Sequence, residues 1–100
     1  MAVTSERSAD GRQVTLFVEG RFDFSSHQDF RAAYQAYPGD LEYAVDLRGT
    51  QYLDSSALGM LLLLRDHAGG DKAQVRLINC TPDVVKILTI SNFFKLFQMG

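Results

Sequence analysis

The sequence predicts one α/β domain over residues 1–100: a small mixed, largely parallel β-sheet with an N-terminal hairpin and about three packed helices. Apolar, β-branched runs alternate with stretches of helical periodicity after the first two strands. Strands separated by helices run parallel and are joined by right-handed crossovers. The 100 residues, 46% of them hydrophobic, are enough for one core but not for two.

The N-terminal hairpin is indicated by a turn signal at residues 8–11, where Asp10 and Gly11 supply the positive φ that tight hairpins require. A weak strand candidate, residues 2–5, precedes this turn. Residues 14–18 follow it and are rich in β-branched and aromatic side chains, which predicts a strand. Residues 20–24 then lead into the first helix.

The first helix is expected to begin at Ser25 or Ser26, with Gln28 at capping-box spacing from Ser25. Pro38 and Gly39 end it. One apolar stripe, suited to lie on a sheet, recurs at helical spacing and consists of Phe30, Ala33, Tyr34 and Tyr37.

A strand through Val45 comes next, and residues 48–53 form a short polar connection to a second helix. That helix is predicted from about Ser56 to Ala68, because the paired glycines at 69 and 70 end it. Residues 74–78 predict a further strand.

The third helix has the clearest start signal, with Thr81 as N-cap and Pro82 at the first helical position, where its missing N–H costs nothing. It should stop near Asn92, and we expect the apolar tail, residues 93–97, to be docked. Its predicted buried stripe is Val84, Ile87 and Leu88.

Composition excludes several classes of function. The net charge is −2 and the basic residues are scattered, which argues against a nucleic-acid partner. Residues 1–12 hold no signal core, and no run approaches the ~20 apolar residues of a membrane span. Cys80 is the single cysteine, which favours the reducing cytoplasm, and we interpret it as a small buried hydrophobe at a strand end.

The most informative segment is Asp54-Ser55-Ser56, where a strand-like region passes into the second helix. Backbone N–H groups in the first helical turn have no intrahelical partner, and the helix dipole favours negative charge there. The segment is therefore suited to hold or receive a phosphate. Two interpretations of the serines stay open: one serine caps the helix and the other presents its hydroxyl, or capping alone accounts for both.

The second helix divides into two sides at about 100° per residue. The predicted outer side has an unusually apolar middle, for which two explanations stay open. Either a second element, such as the C-terminal tail, covers it, or it is a docking patch for another protein with Ser56 at its rim. The predicted core side is Ala57, Leu58, Leu61, Leu62, Leu64 and Ala68, and the outer side is Ser56, Gly59, Met60, Leu63 and His67.

Catalysis is a poorer explanation of these serines. A nucleophilic serine needs a base within reach. His27 belongs to a different helix, and His67 lies about 16 Å along the same helix from Ser56. The sequence holds no nucleophile elbow, metal-ligand spacing or phosphate-binding glycine loop. We therefore expect a protein that is not an enzyme and that uses no cofactor or metal.

With these residues described, the chain resembles the STAS domains, and among them the bacterial anti-sigma-factor antagonists, over nearly its whole length. The specific part is the Asp-Ser-Ser-x-Leu-Gly element at residues 54–59. Supporting parts are Gly20-Arg21-Phe22-Asp23, the strand ending at Leu47, Thr81-Pro82 and the closing Leu96-Phe97.

The resemblance implies a phosphorylation switch. In that family a partner anti-sigma factor with serine kinase activity phosphorylates the second serine of the element, here Ser56, and a serine phosphatase restores it. It also implies that Asp23 and Asp54 are neighbours on the binding face. Together with Ser55, Ser56 and the outer-side residues Gly59, Met60 and Leu63, they form the predicted partner-binding set. The family often has glycine after the acceptor, whereas this chain has Ala57, a better helix former by ~1 kcal/mol.

The sequence thus favours a cytoplasmic regulator of transcription that exchanges protein partners. A cytoplasmic accessory subunit of a membrane transporter ATPase is the alternative, because single STAS-like domains also serve there. Nucleotide binding is a third possibility, but no phosphate-binding loop supports it.

Overall fold

The computed structural model describes residues 2–99, so the first and last residues of the predicted domain lie outside the described range. Within that range, nine strands and helices follow one another. Their bounds are β1 Ala2–Arg7, β2 Gln13–Phe22, α1 His27–Gln35, β3 Glu42–Asp46, β4 Thr50–Leu53, α2 Ser55–His67, β5 Val75–Ile78, α3 Pro82–Ile90 and β6 Gln98–Met99. Three short 3₁₀ turns complete the structure, at Phe24–Ser26, Gly70–Lys72 and Phe93–Lys95.

The sheet has the order β1-β2-β3-β5-β6, and β4 pairs with β2 outside that path. Only β1 and β2 are antiparallel; the pairs β2–β3, β3–β5, β5–β6 and β2–β4 are all parallel. This confirms the predicted mixed, largely parallel sheet. The hairpin is confirmed too, with Gly11 at φ +74° and its amide donating to the Ser8 carbonyl at 2.9 Å.

Two strands were not predicted. The predicted polar connection contains β4, where Gly20 is aligned with Thr50 and Phe22 with Leu53. Thr50 is buried, and its hydroxyl donates to the Val18 carbonyl at 2.8 Å. The two-residue β6 adds to the outer side of β5. Both segments are short and largely polar, so their pairing depends on neighbouring strands more than on their own sequence.

The core lies between one face of the sheet and the helices. Side chains alternate along β2 so that every second residue is buried. The predicted stripes of α1 and α3 face this core, with Phe30, Tyr34, Val84 and Leu88 buried. The sheet residues on that face include Val14, Leu16, Val18, Tyr43, Val45 and Leu77.

The start of α1 differs from the prediction. The capping box joins Asp23 and Ser26 around the 3₁₀ turn, and Ser26 then precedes α1 without a side-chain cap bond. The predicted box of Ser25 and Gln28 is therefore wrong. Asp23 directly follows β2 and has an extended conformation, so its carboxylate accepts from the Ser25 amide. The capping box therefore starts two residues earlier than predicted.

The C-terminal third follows the prediction closely. The Thr81 hydroxyl accepts from the Val84 amide at 3.4 Å, and Asn92, at φ +59°, ends α3. Phe93 and Phe97 are buried and their rings stack with centroids 5.5 Å apart, so the tail is docked. Within residues 2–99, no helix has the length and apolar character to cross a membrane.

Candidate functional site

Two neighbouring strands, β2 and β4, end side by side at one edge of the sheet. Phe22 and Leu53 are aligned across the pair, and the Asp54 amide donates to the Phe22 carbonyl at 3.3 Å. Asp23 and Asp54 are the next residues on each strand, so they stand at adjacent strand ends. Each then caps the helical turn that follows it.

Asp54, not a serine, caps α2. Its extended backbone places Oδ1 where it accepts from the Ala57 amide at 3.0 Å and from the Ser56 hydroxyl at 2.6 Å. The prediction that Ser55 or Ser56 is the cap is wrong, because α2 begins one residue earlier than expected, at Ser55. Ser56 is half-buried in the first turn, whereas Ser55 is exposed. One carboxylate thus fixes both the helix start and the direction of the Ser56 hydroxyl.

Asp23 repeats this arrangement on the neighbouring strand. Its Oδ1 accepts from the Ser25 amide at 3.0 Å and from the Ser25 hydroxyl at 2.6 Å. Arg21 Nε lies 3.5 Å from the other oxygen, Oδ2. The hydrogen bond from the Ser25 hydroxyl is the main cause that lowers the pKa of Asp23, and Arg21 adds to it, whereas desolvation opposes them. The Asp23 carboxylate is therefore ionised at neutral pH.

Arg21 also contacts Tyr52, its aligned partner on β4. The guanidinium carbon lies 4.3 Å from the centre of the tyrosine ring, which is cation–π distance. The sequence reasoning missed this pair. Nothing in the spacing of residues 21 and 52 predicts it, because it follows from the pairing of β4 with β2.

The outer side of α2 is only partly as predicted. Leu63 is 47% exposed, as expected, but Met60 is only 3% exposed and belongs to the core. The prediction that Met60 lies on the exposed side is wrong, because α1 and the 3₁₀ turn before it pack against α2. That covering element is α1 and not the C-terminal tail. Leu62 was predicted to be in the core but is 38% exposed. The buried side of α2 thus lies closer to Met60, and farther from Leu62, than the sequence predicted.

Three features give this region an accessible apolar surface. Leu62 and Leu63 are exposed on α2, and Gly59 lies one turn before them with no atom within 4 Å of the place a Cβ would occupy. Phe24, in the 3₁₀ turn that contacts α2, is 79% exposed and was not predicted as a site residue. We call Phe24, Gly59, Leu62 and Leu63 the switch face.

Neither histidine is bonded to Ser56. His67 Nε2 is 2.9 Å from the Tyr37 carbonyl oxygen and 3.2 Å from the Tyr43 hydroxyl, at the opposite end of α2 from Ser56. His27 is the first residue of α1. Within the part of the chain that the structure describes, no group of three or more His, Cys, Asp or Glu side chains is arranged to hold a metal ion.

Comparison with known proteins gives the class of the chain. Residues 5–98 match the family model described as "Mlab, STAS domain". The chain therefore belongs to the STAS domain family, which confirms the resemblance seen in the sequence.

Three relatives illustrate the match. A STAS-domain containing protein of Pseudomonas aeruginosa is 60% identical over 101 residues, which is 100% of both chains. The anti-sigma factor antagonist SpoIIAA in its unphosphorylated form superposes with a TM-score of 0.79 at 18% identity, covering 99% of this chain and 88% of that chain. The phosphorylated form of Bacillus SpoIIAA gives 0.70 at 17% identity, covering 99% and 91%.

Proposed function

We propose that this protein is an anti-sigma factor antagonist, a cytoplasmic, non-enzymatic regulator that works by exchanging partners. In its unphosphorylated form it binds an anti-sigma factor with serine kinase activity. Phosphorylation of Ser56 releases that partner, and a serine phosphatase restores the binding form. The observation that carries the proposal is the Ser56 hydroxyl in the first turn of α2, held 2.6 Å from Asp54 Oδ1 beside an apolar surface.

The position of Ser56 suits an acceptor of a phosphoryl group. The Ser56 oxygen attacks the terminal phosphorus of ATP bound to the partner, the bond to the leaving ADP breaks, and the hydroxyl proton passes to a base on the kinase. Asp54 already accepts a hydrogen bond from that hydroxyl, so the oxygen is oriented before the kinase arrives. The other catalytic groups belong to the partner, in accordance with a regulator that is itself not an enzyme.

The charge of the phosphate provides the switch. Phosphorylation adds about −1.5 to −2 charges next to Asp54. The helix N-terminus offsets part of this by ~0.3–1 kcal/mol, so the fold survives. A partner that covers Ser56 has to bury a dianion, which costs several kcal/mol, and about 1.4 kcal/mol is tenfold in affinity. We therefore expect binding to weaken by roughly two orders of magnitude with little structural change.

The switch face gives the partner an area to cover. A glycine inside a helix costs about 1 kcal/mol relative to alanine, yet packing within this chain does not require Gly59, since nothing lies near its missing Cβ. Close approach of a second protein does explain the glycine. Phe24 and Leu63 are exposed apolar side chains of the same region. In this proposal Asp23, Asp54 and Ser55 form the polar rim of the same contact, and Met60 supports it from inside the core.

The decisive experiment compares Ser56→Ala with Ser56→Asp. The Ser56→Ala protein is used to capture the anti-sigma partner, and both variants are then titrated against the purified partner by calorimetry. We expect Ser56→Ala to bind as the unphosphorylated protein does and Ser56→Asp to bind at least tenfold more weakly. Ser55→Ala is the matched comparison, one residue away and exposed at the rim of the contact: it should weaken binding far less than Ser56→Asp does and should still be phosphorylated at Ser56. Equal affinity of the two Ser56 variants would reject the switch.

One observation favours a second function, the accessory subunit of a transporter ATPase. The Ser56 hydroxyl is half-buried and already engaged with Asp54, and the apolar switch face needs no phosphate in order to bind. If the protein is such an accessory subunit, we expect it to co-purify with an ATPase subunit. Ser56→Ala and Ser56→Asp then bind that subunit equally, whereas Leu63→Glu abolishes binding.

A further inference from the structure

Arg21 is fixed at the edge where β2 and β4 end. Its Nε lies 3.5 Å from Asp23 Oδ2, and its guanidinium stacks on the Tyr52 ring at 4.3 Å. A stacked guanidinium loses most of its rotational freedom, so the cation is presented at a defined place. The side chain is nevertheless 64% exposed, so its terminal nitrogens remain accessible from outside.

Folding alone does not explain this arginine. An ion pair as exposed as that of Arg21 with Asp23 contributes little to stability. Asp23 also has other donors, the amide and hydroxyl of Ser25. The contact with Asp23 uses Nε, which leaves the two terminal NH₂ groups of the guanidinium for another acceptor.

The backbone segments that carry Ser56 and Arg21 meet at the same edge of the sheet. The Ser56 hydroxyl is bonded to Asp54, and the Asp54 amide is bonded to Phe22, the residue that follows Arg21. Neighbouring strands of a sheet lie about 4.8 Å apart. Arg21 is therefore the arginine of the strand end adjacent to the one that leads into Ser56, and its side chain is long and exposed.

We infer that Arg21 is the phosphate-binding residue of the switch: on phosphorylation of Ser56 its guanidinium leaves Asp23 and pairs with the phosphoryl oxygens. The inference rests on the proposed function. A phosphate monoester carries about −1.5 to −2 charges and offers two oxygens to the guanidinium fork, so it competes well with a carboxylate contacted through Nε alone. Without this cation, the helix N-terminus alone would offset the like charges of Asp54 and Asp23 beside the phosphate.

The consequence is that phosphorylation alters two parts of the edge at once. The phosphate adds charge at Ser56, and the departure of Arg21 removes the counter-ion of Asp23. A partner that contacts the Arg21–Asp23 pair in the unphosphorylated protein then meets an uncompensated carboxylate as well as the phosphate. The net charge of the edge changes by the phosphate alone, but the uncompensated charge is now shared between Asp23 and the phosphate.

The test measures the second pKa of the phosphate itself. Phosphoserine is incorporated at position 56 during synthesis, so that no kinase is needed, and the phosphate is titrated by ³¹P NMR. The carboxylates of Asp23 and Asp54 raise the phosphate pKa, and the guanidinium of Arg21 lowers it. His27, the first residue of α1, is present in every variant and does not affect the comparison. We expect Arg21→Gln to raise the phosphate pKa by about half a unit or more, and Arg21→Lys to give an intermediate value.

Arg12→Gln is the matched control, since Arg12 precedes β2 at its far end, about 30 Å away at 3.3 Å per residue. It should titrate as the wild type does. A second readout is the Arg21 Nε–Hε NMR signal, which should shift on phosphorylation. An identical phosphate pKa in wild type and Arg21→Gln, with an unmoved Nε–Hε signal, would overturn the inference but leave partner binding untouched. Equal binding of Ser56→Ala and Ser56→Asp would instead reject the proposed function and leave the pKa difference standing.

Discussion

At the edge where β2 and β4 end, each of two carboxylates both caps a helical turn and accepts a hydrogen bond from a serine hydroxyl. Asp54 Oδ1 accepts from the Ala57 amide and from the Ser56 hydroxyl, so the group that starts the helix also orients the oxygen that we propose as the phosphoryl acceptor. Asp23 does the same with Ser25. Because the cap is a carboxylate, both serine hydroxyls act as donors and neither is needed to begin a helix. This leaves Ser56 available for modification without loss of the cap.

Gly59 provides the sharpest prediction for a single residue. Gly59→Ala should raise the free energy of unfolding by about 0.5–1 kcal/mol, because alanine is the better helix former and no atom obstructs the new methyl group. The same methyl group should weaken partner binding, because it stands where the partner approaches. Urea unfolding and calorimetric titration measure the two effects.

Gly59→Leu extends the test to a larger side chain at the same position. Binding should fall further than for Gly59→Ala, while stability stays close to that of the wild type. Stability and affinity that rise or fall together in both variants would contradict the role of Gly59 as a contact surface.

The orientation of α2 decides which of its leucines and methionines a partner meets. The buried residues of this helix are Ala57, Met60, Leu61 and Leu64, which lie on one side at about 100° per residue. Periodicity alone did not locate that side, because leucine occupies positions all round the helix. Which side of α2 is buried is determined by α1 and the 3₁₀ turn before it, because both pack against α2.

A matched pair of substitutions tests this orientation. Met60→Glu should destabilise the protein by roughly 2–5 kcal/mol, since it buries a carboxylate where Met60 is 3% exposed. Leu63→Glu should change stability by no more than about 0.5 kcal/mol, because Leu63 is 47% exposed, and should weaken partner binding. Urea unfolding of both variants is the measurement. Comparable destabilisation by the two would show that α2 is oriented differently.

At the scale of the whole molecule, the sequence predicted the parts whose local signals are strong. The hairpin follows from Asp10 and Gly11, and α3 from Thr81 and Pro82, because each residue type favours the conformation it adopts. The Asp-Ser-Ser element was found at the start of α2, as expected. The cap of α2 was assigned to a serine, whereas the Asp54 carboxylate provides it. The exposed side of α2 was also misplaced, because α1 packs against this helix and Met60 is buried.

The parts that were missed depend on contacts between distant segments. β4 and β6 are too short and polar to signal strands by themselves. They form because residues 20–22 of β2 extend beyond its pairing with β1 and β3, and because β5 offers an edge beside β3. The stacking of Arg21 on Tyr52 depends on that same register. Phe24 is exposed because a 3₁₀ turn begins there and interrupts the alternation that buries Phe22. Each of these features requires the assembled sheet.

The last prediction concerns a buried tyrosine that links β3 to the loop after α1 and to the end of α2. The Tyr43 hydroxyl donates to the Pro38 carbonyl at 2.7 Å and lies 3.2 Å from His67 Nε2. Burial, with a smaller effect of Asp40, raises the pKa of Tyr43 to about 12. In the unfolded chain a tyrosine loses its proton near about pH 10, so the unfolded state is deprotonated first as the pH rises. The contribution of Tyr43 to the free energy of unfolding should therefore stay constant below about pH 10 and fall between about pH 10 and 12.

Urea unfolding between about pH 8 and 12, the range that brackets both ionisations, measures this dependence in wild type and Tyr43→Phe. Tyr43→Phe should be less stable at neutral pH, because it lacks the bond to Pro38, but should lose less stability on the alkaline side. A smaller alkaline dependence should remain in the variant, since burial also raises the pKa of Tyr34. If the two proteins lose stability in parallel above about pH 10, the ionisation of Tyr43 is not what couples the fold to alkaline pH.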